Sequence, residues 1–539
     1  MKNNNYYILI IISLIILIWA FPIYAQSPIN NEIEVQLNNF TECKLNNLKL
    51  DPPCFLDELL TSYKKNNYNP FWFRNGRLSH EAYELMDVIK DVDEEGLRTY
   101  FYRYNYLNNF FNKKSLTFQE IARVDIILSN SFLLLNAHFT NGFLDPEEIE
   151  VDWVNESADI DIKEVLENIS NNGIKNYLYS LLPQSENYNK LKENLTKYKL
   201  IKENGGFKKV DSNKNLEKGI QNPAVVQLKE RLQQTDQYND VINQNFDEIT
   251  EKAVISFQKK HGLKADGIVG PNTLKELNVD IDERIKTIEI NLERLRWLPQ
   301  SLGNRYVLVN IADYKLDVYE NNEMLFDMNV IVGQEQRSTP VFSDRIRYLA
   351  LNPYWNVPRS IAVKDKLPLI KKDIKYLEEN NYTVLTMYEG EFIEVDPETV
   401  PWEELNKNNF RYFLRQDPGP NNALGQIKFM FPNKFSIYLH DTPAKELFSQ
   451  TDRSFSSGCI RVEEPFKLAE YILKVNNKWN PQRIEDILKT NKETIIGLNE
   501  YIPVHIVYFT AWVEENGLNF RKDIYNRDKR LIEAFNKII

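Results

Sequence analysis

The hydrophobic pattern of this chain changes period once, near residue 305, and that change constrains the fold more than any other feature. Before it, apolar residues recur at helical spacing, as in Phe55-Leu56-Asp57-Glu58-Leu59-Leu60, Ala82-Tyr83-Glu84-Leu85-Met86 and Ile121 to Asn136. From Arg305 they alternate. Tyr306 to Ile311, Lys315 to Tyr319 and Met328 to Gly333 read as three strands with short turns, and Tyr348–Val357 and Ile427–His440 add more. The pattern predicts a multidomain α + β chain with a helical scaffold first and a mostly-β domain later. At roughly 150 residues per domain, 539 residues suggest about three or four domains.

Composition narrows the class. With 42% hydrophobic residues, 18 Gly and 23 Pro, the chain can build sizeable cores, which excludes disorder and fibrous repeats as the dominant class. A net charge of −11 argues against nucleic acid as a general partner, because phosphate contacts need clustered Lys and Arg. Five His and three Cys leave little room for a multi-zinc protein or a disulfide-stapled scaffold. No metal or cofactor is expected.

Residues 1–25 carry Lys2 and then an uncharged apolar run from Tyr6 to Ala25, ending in Ile23-Tyr24-Ala25. This reads as a cleaved signal peptide, with an uncleaved membrane anchor of ~20 residues as the alternative. Either way the rest of the chain is expected to be exported to the periplasm or cell envelope. Cys43 and Cys54 are then candidates to pair, which leaves Cys459 as a single thiol in an oxidising compartment.

Residues 40–205 read as an aromatic-rich helical scaffold, and polar Glu203–Gln221 as a linker. Three short helices follow, marked by Val225, Leu228 and Leu232, by Ala253, Val254 and Phe257, and by Leu274 and Leu277 behind Gly270-Pro271. His261 reads as a helix-end residue. In the later half, Arg359 to about Pro420 is too long for an ordinary connection. It is polar, holds a helix over Leu367–Asn380, and is of the kind that covers a site.

The residues with chemistry lie close together. In Phe435-Ser436-Ile437-Tyr438-Leu439-His440, alternation places Ser436, Tyr438 and His440 on one side and Phe435, Ile437 and Leu439 on the buried one. Nineteen residues beyond His440 comes Cys459, in Ser456-Ser457-Gly458-Cys459-Ile460-Arg461-Val462, where Cys459 and Arg461 share a face opposite Ile460 and Val462. Glu464-Pro465 then opens a helix with Phe466, Ala469 and Leu473 inward. A thiol with a pKa of about 8.5 is a poor nucleophile until an imidazole takes its proton. Gly458 permits close backbone approach and N–H groups for an oxyanion, and Arg461 can hold a carboxylate or order the loop. These residue types suit acyl transfer, although Cys and His within twenty residues also occur by chance.

Ala253-Val254 through Phe257-Gln258, Gly262-Leu263, Asp266 to Gly270 and Thr273-Leu274 resemble the type 1 peptidoglycan-binding family over residues 221–279. His440-Asp441-Thr442-Pro443 with Ser456-Ser457-Gly458-Cys459-Ile460-Arg461 resembles the YkuD-type L,D-transpeptidase motif, in its large multidomain YcbB-like branch. Asn291 to Pro299, Asn352 to Pro358 and Tyr508 to Phe520 resemble the same branch, and the similarity spans most of residues 40–539. The motif's second His is Ser457 here. The resemblance implies a catalytic domain over 304–510 with a capping insertion at about 359–420. It also implies a C-terminal segment, 511–539, expected to pack on the scaffold.

It implies Cys459 as nucleophile, His440 as general base and the Gly458 and Cys459 amides as oxyanion hole. Ser457 would support the His through its backbone, Arg461 would position the loop, and Tyr438 and Trp355 would line the substrate groove. The implied reaction joins peptidoglycan tetrapeptide stems in 3→3 cross-links with release of D-Ala. Carbapenem-type inhibitors would acylate Cys459, and a glycan synthase or D,D-carboxypeptidase would be a partner. The alternatives are a thiol peptidase that cleaves stems and an inactive wall-binding scaffold. A sortase would need wider His–Cys spacing and Thr before the Cys; an NlpC-type peptidase would need the Cys first; a zinc D,D-peptidase would need a His cluster.

Overall fold

The computed structural model describes residues 27–39, 44–45, 48–49, 55–146, 162–168, 173–474 and 479–537. The N-terminal apolar run and the Cys43–Cys54 pairing lie outside the described residues. Among the described residues no helix is long and apolar enough to cross a membrane.

The chain divides into two compact units. The first comprises residues 1–93, 97–140 and 157–182, and the second residues 94–96, 141–156 and 183–539. The first is helical, built around Phe118–Asn141, which is buried on nearly every side. Trp72 packs on Phe132 of that helix, and Tyr63, Leu85 and Ile89 are buried in the same unit. Asp125 on that helix accepts hydrogen bonds from the Phe71 and Trp72 amides (3.0 and 2.8 Å) and from the Tyr63 hydroxyl at 2.5 Å. The aromatic run around Trp72 is therefore core.

Helix Glu186–Glu203, read from sequence as the end of the scaffold, belongs to the second unit. There it packs on helix Ile281–Arg296 around a buried ionic group. Arg296 pairs with Glu293 at 2.7 Å with both side chains fully buried, and Arg296 and Glu95 both bond the Tyr188 hydroxyl.

The three-helix module is present as Pro223–Gln233, Glu248–Lys260 and Pro271–Leu277. The segment before it is not the linker its polar composition suggests. Val210 and Leu216 are buried in the module's core, and Leu216 bridges to Val269. Two apolar residues in a Lys- and Asn-rich stretch suffice to dock it, and no periodicity marks them. His261 closes its helix by bonding the Phe257 carbonyl at 2.7 Å and stacks between Phe257 and Phe520.

The mostly-β domain is a closed sheet. Its strands are β1 (Arg305–Asn310), β2 (Lys315–Glu320), β3 (Glu323–Gly333) and β4 (Phe342–Leu351), then, after the insertion, Ile427–Met430, Leu439–His440, Ser454–Ser456, Ile460–Val462 and Thr494–Val507. The insertion contributes β5 (Trp355–Asn356), β6 (Tyr382–Tyr388), β7 (Glu391–Glu394) and β8 (Phe413–Gln416), so the strands after it are β9 to β13 in the order given. The main sheet runs β11-β3-β12-β10-β9-β4-β13-β1-β2, and β2 also pairs with β3, which closes it.

The insertion, expected as polar and helical, instead forms a lobe with an antiparallel sheet in the order β7-β6-β8-β5. The lobe has its own apolar core, including Val384, Leu377, Trp402 and Phe410. The predicted helix over Leu367–Asn380 breaks into Leu367–Lys372 and Lys375–Glu379 at an extended Asp373. Helix Pro465–Leu473 buries Leu468 rather than Phe466, along with Ala469 and Leu473. At the C-terminus, hairpin β14 (Ala511–Glu514) and β15 (Gly517–Phe520) packs on Glu186–Glu203 and Ile281–Arg296. Arg521 there donates to Asp313 at 2.5 Å and to the Lys260 carbonyl at 2.9 Å, joining the three-helix module to the sheet domain.

Candidate active site

The run Phe435–His440 does not form the full strand that its alternation predicts. The Asn433 side chain accepts from the Phe435 and Ile437 amides and donates to the Ile437 carbonyl, and Ser436 takes a left-handed φ of 57°. Phe435 is exposed, and only Leu439–His440 pair as strand. The turn is local Asn chemistry that overrides a two-residue period.

Strand pairing then assembles the site. β10 and β12 run parallel with Leu439 opposite Ile460 and His440 opposite Arg461. The Ile460 amide donates to the Tyr438 carbonyl at 3.1 Å, which puts Tyr438 beside Cys459. Leu439, Ile460 and Val462 are fully buried on the apolar face. Side chains alternate, so Tyr438, His440, Cys459 and Arg461 share the other face, with Lys428 of β9 opposite His440. Cys459 and Arg461 are two residues apart, roughly 7 Å along the strand.

The thiol's immediate contacts are with Tyr438 and Ser436. Cys459 Sγ donates to the Ser436 carbonyl at 3.8 Å. Burial pushes its pKa above the ordinary thiol value, while the Tyr438 amide and hydroxyl, Lys428 and Arg461 pull it down. Among the described residues no hydrogen bond joins Cys459 to His440. His440 is buried, and its Nδ1 donates to the Asp441 carbonyl at 2.5 Å. Burial lowers its pKa to about 3, with Arg461 and Lys428 acting in the same direction. The resting pair is therefore a neutral thiol and a neutral imidazole.

Asp441 anchors the strand end. Its carboxylate accepts from the Gln426 amide at 2.8 Å and from Lys445 at 2.6 Å. A Cβ on Gly425 would meet that carboxylate at 2.3 Å, so only Gly fits there.

The loop before the thiol is tied to itself. Ser456 Oγ donates to the Cys459 carbonyl at 2.5 Å and accepts from the Gly458 amide at 3.1 Å. Gly458 has φ 116°, a left-handed backbone that suits Gly. Its amide, expected in the oxyanion hole, is thus turned to Ser456. Among the described residues the Cys459 amide has no partner. Ser457 was expected to support His440; it is exposed, and its Oγ accepts from Arg337 at 2.8 Å. Arg461 is half-buried beside the thiol with its Nε lacking a hydrogen-bond partner.

Trp355, on β5 in the lobe sheet, is buried and hydrogen-bonded to Tyr438, which packs against the lobe core. These two aromatics, expected to line a groove, therefore join the lobe to the site. Lys428 lies 3.8 Å above the Tyr438 ring. Sequence reading missed Lys428, Asp441 and Arg337. A lone Lys within apolar Ile427-Lys428-Phe429-Met430 was the available signal for the first.

Residues 304–494 match the family described as L,D-transpeptidase catalytic domain, residues 221–277 the family described as "Putative peptidoglycan binding domain", and residues 57–195 the family described as Scaffold domain. A Haemophilus influenzae protein named "Putative L,D-transpeptidase" is 36% identical over 259 residues, which is 48% of this chain and 50% of that protein. The chain thus aligns with about half the length of that curated relative. A solved L,D-transpeptidase from Mycobacterium smegmatis is 13% identical, covering 38% of this chain and 58% of its own, with a TM-score of 0.18. One from Stackebrandtia nassauensis is 12% identical, covering 56% and 96%, with a TM-score of 0.22. By sequence, residues 304–494 are thus similar to L,D-transpeptidase catalytic domains and residues 221–277 to peptidoglycan-binding domains.

Proposed function

We propose that this protein is an exported L,D-transpeptidase that forms 3→3 cross-links between peptidoglycan stems through a thioester on Cys459. The observation that carries the reading is the parallel register that sets Tyr438, His440, Cys459 and Arg461 on one sheet face, inside the segment that matches the catalytic family.

In the first half-reaction His440 takes the Cys459 proton, and the sulfur attacks the carbonyl between the third residue of a tetrapeptide stem and D-Ala. An S–C bond forms and the C–N bond to D-Ala breaks. The proton held by His440 leaves on the D-Ala amine. In the second half the side-chain amine of another stem attacks the thioester. The new C–N bond forms, the S–C bond breaks, and the amine's proton passes through His440. The free Cys459 amide is the oxyanion donor already in place, and Gly458 joins it when Ser456 releases its amide. Arg461, with an unpartnered Nε beside the sulfur, holds the stem carboxylate or the developing thiolate.

His440 is held neutral, the form that can accept a proton, but burial makes it a weak base in the free protein, and it needs to approach the thiol on substrate binding. The three-helix module would hold glycan strands near the site. The lobe would exclude water so that the amine outcompetes hydrolysis. Carbapenem-type acylation of Cys459 follows from the same chemistry. A D,D-carboxypeptidase activity must supply the tetrapeptide donors.

Incubation with disaccharide-tetrapeptide, read by mass spectrometry, tests the reading. Wild type should yield a dimer lacking one D-Ala and Cys459→Ala none. A wild-type product of cleaved monomers alone would favour a stem peptidase.

A further inference from the structure

The Arg337 side chain bridges the insertion and the catalytic loop. It lies in the turn Glu335–Arg337 that follows β3. One amino nitrogen donates to Asp365 at 2.6 Å and to Ser457 Oγ at 2.8 Å, and the other donates to the second Asp365 oxygen at 2.9 Å. Ser457 precedes Gly458-Cys459, whereas Asp365 belongs to the lobe.

The two ends of this bridge are anchored separately. On the sheet side, Thr339 Oγ1 donates to the Gly458 carbonyl at 2.8 Å and accepts from the Gly333 amide at 2.9 Å, while the Gln334 amide donates to the Ser456 carbonyl at 3.0 Å. A Cβ on Gly333 would meet the Arg337 carbonyl at 2.1 Å, so the turn closes tightly only with Gly there. The Arg337 backbone therefore moves with the catalytic loop. On the lobe side, Asp365 lies in the π-helical turn Ala362–Lys366. Its neighbour Lys366 bonds the Tyr376 hydroxyl at 3.0 Å and sits 5.4, 5.7 and 5.5 Å from the Trp355, Tyr376 and Tyr382 ring centres. The π-helical turn therefore moves with the lobe core. Such turns are often found at functional sites.

We propose that Arg337 is a positioning residue that latches the capping lobe onto the catalytic loop, so that lobe closure and the conformation of Ser457-Gly458-Cys459 are coupled. When the lobe lifts, the bidentate pair with Asp365 breaks and Ser457 loses a partner whose direction that pair had set. When it closes, both are restored. The pair is partly exposed, with side chains 28% and 39% accessible, so water can replace it at small cost and the latch can open within a catalytic cycle. Arg suits the role because its planar fork reaches a carboxylate and a hydroxyl together, which the point charge of Lys does not. This assignment rests on the transpeptidase reading only for its effect on products.

The test uses full-length wild type, Arg337→Ala, Arg337→Lys, Asp365→Asn and the Arg337→Ala/Asp365→Asn double variant. Hydrogen exchange at 359–372 and 454–460 is measured together with the ratio of hydrolysed tripeptide to cross-linked dimer. The latch requires faster exchange in both segments in each single variant, and a double variant no worse than the more severe single. It also requires a shift of about fivefold or more toward hydrolysis, with Arg337→Lys between wild type and Arg337→Ala. Faster exchange in one segment only, additive effects in the double variant, or an unchanged product ratio in an otherwise active variant would overturn it. If wild type forms neither product, the transpeptidase reading fails by itself. The exchange data then still decide whether Arg337 couples the segments.

Discussion

Two buried polar clusters in this protein are completed to different degrees. In the helical unit, Asp125 is saturated: two backbone amides and the Tyr63 hydroxyl bind it, while Ser129 accepts from the Trp72 indole and meets the Tyr63 hydroxyl at 2.8 Å. On the face that carries Cys459, the cluster is left short. Among the described residues Arg461 Nε and the Cys459 amide lack partners, the thiol meets only Tyr438 and, at 3.8 Å, the Ser436 carbonyl, and His440 bonds the Asp441 carbonyl instead of the thiol. A saturated buried network fixes structure, because every missing bond would cost stability. An unsaturated one keeps donors for something that is absent from the free chain. The first is built on a carboxylate and the second on a thiol, an imidazole and an arginine, so the two differ in completion as well as in composition.

The largest effect that would sharpen this contrast is at Cys459. Cys459→Ala should reduce dimer formation to background while leaving the thermal transition within about 1 kcal/mol of wild type, since the thiol makes no strong bond. If that variant unfolds, the cluster around Cys459 is structural. Arg461→Met should lower kcat/KM by about 100-fold, the scale of one lost charge-stabilising group, with stability unchanged or slightly raised because an unsatisfied buried donor is removed.

Asp125→Ala should behave oppositely. It should destabilise the helical unit by about 3 kcal/mol in denaturant titration, as three buried donors lose their acceptor, with little effect on turnover of the protein that remains folded. Asp125 also has a pH signature. Burial raises its pKa to about 6, so the folded state holds the proton more tightly than the unfolded one. The stability of wild type relative to Asp125→Asn should therefore rise as pH falls from about 6 toward the ordinary carboxylate value of about 4.

The smallest expected effect is that of His440 on the resting thiol and on stability. Its pKa of about 3 means that folding disfavours its protonation. Its contribution to stability is complete above the ordinary His value of about 6.5 and is lost as pH falls from there toward 3. It makes no hydrogen bond to the resting thiol, so His440→Gln should abolish turnover yet leave the rate and pH midpoint of Cys459 alkylation in the free protein nearly unchanged. That midpoint should lie above the ordinary thiol value of about 8.5. A midpoint that falls below it and depends on His440 would mean that a thiolate–imidazolium pair exists before substrate arrives.

Much of this architecture was legible before any coordinates. The change of period at Arg305, the three helices of the module before it and the shared face of Cys459 and Arg461 follow from apolar spacing, and apolar spacing is set by which side of an element must leave water. Tertiary structure decided the rest. Asn433 replaced a predicted strand with a turn, and Val210 and Leu216 converted a linker into core. Ser456 took the Gly458 amide, and Arg337 reached Ser457 from 120 residues away. Periodicity reports how a residue faces its own element, but a hydrogen bond between distant segments depends on the register and closure of the whole sheet. No local pattern encodes that.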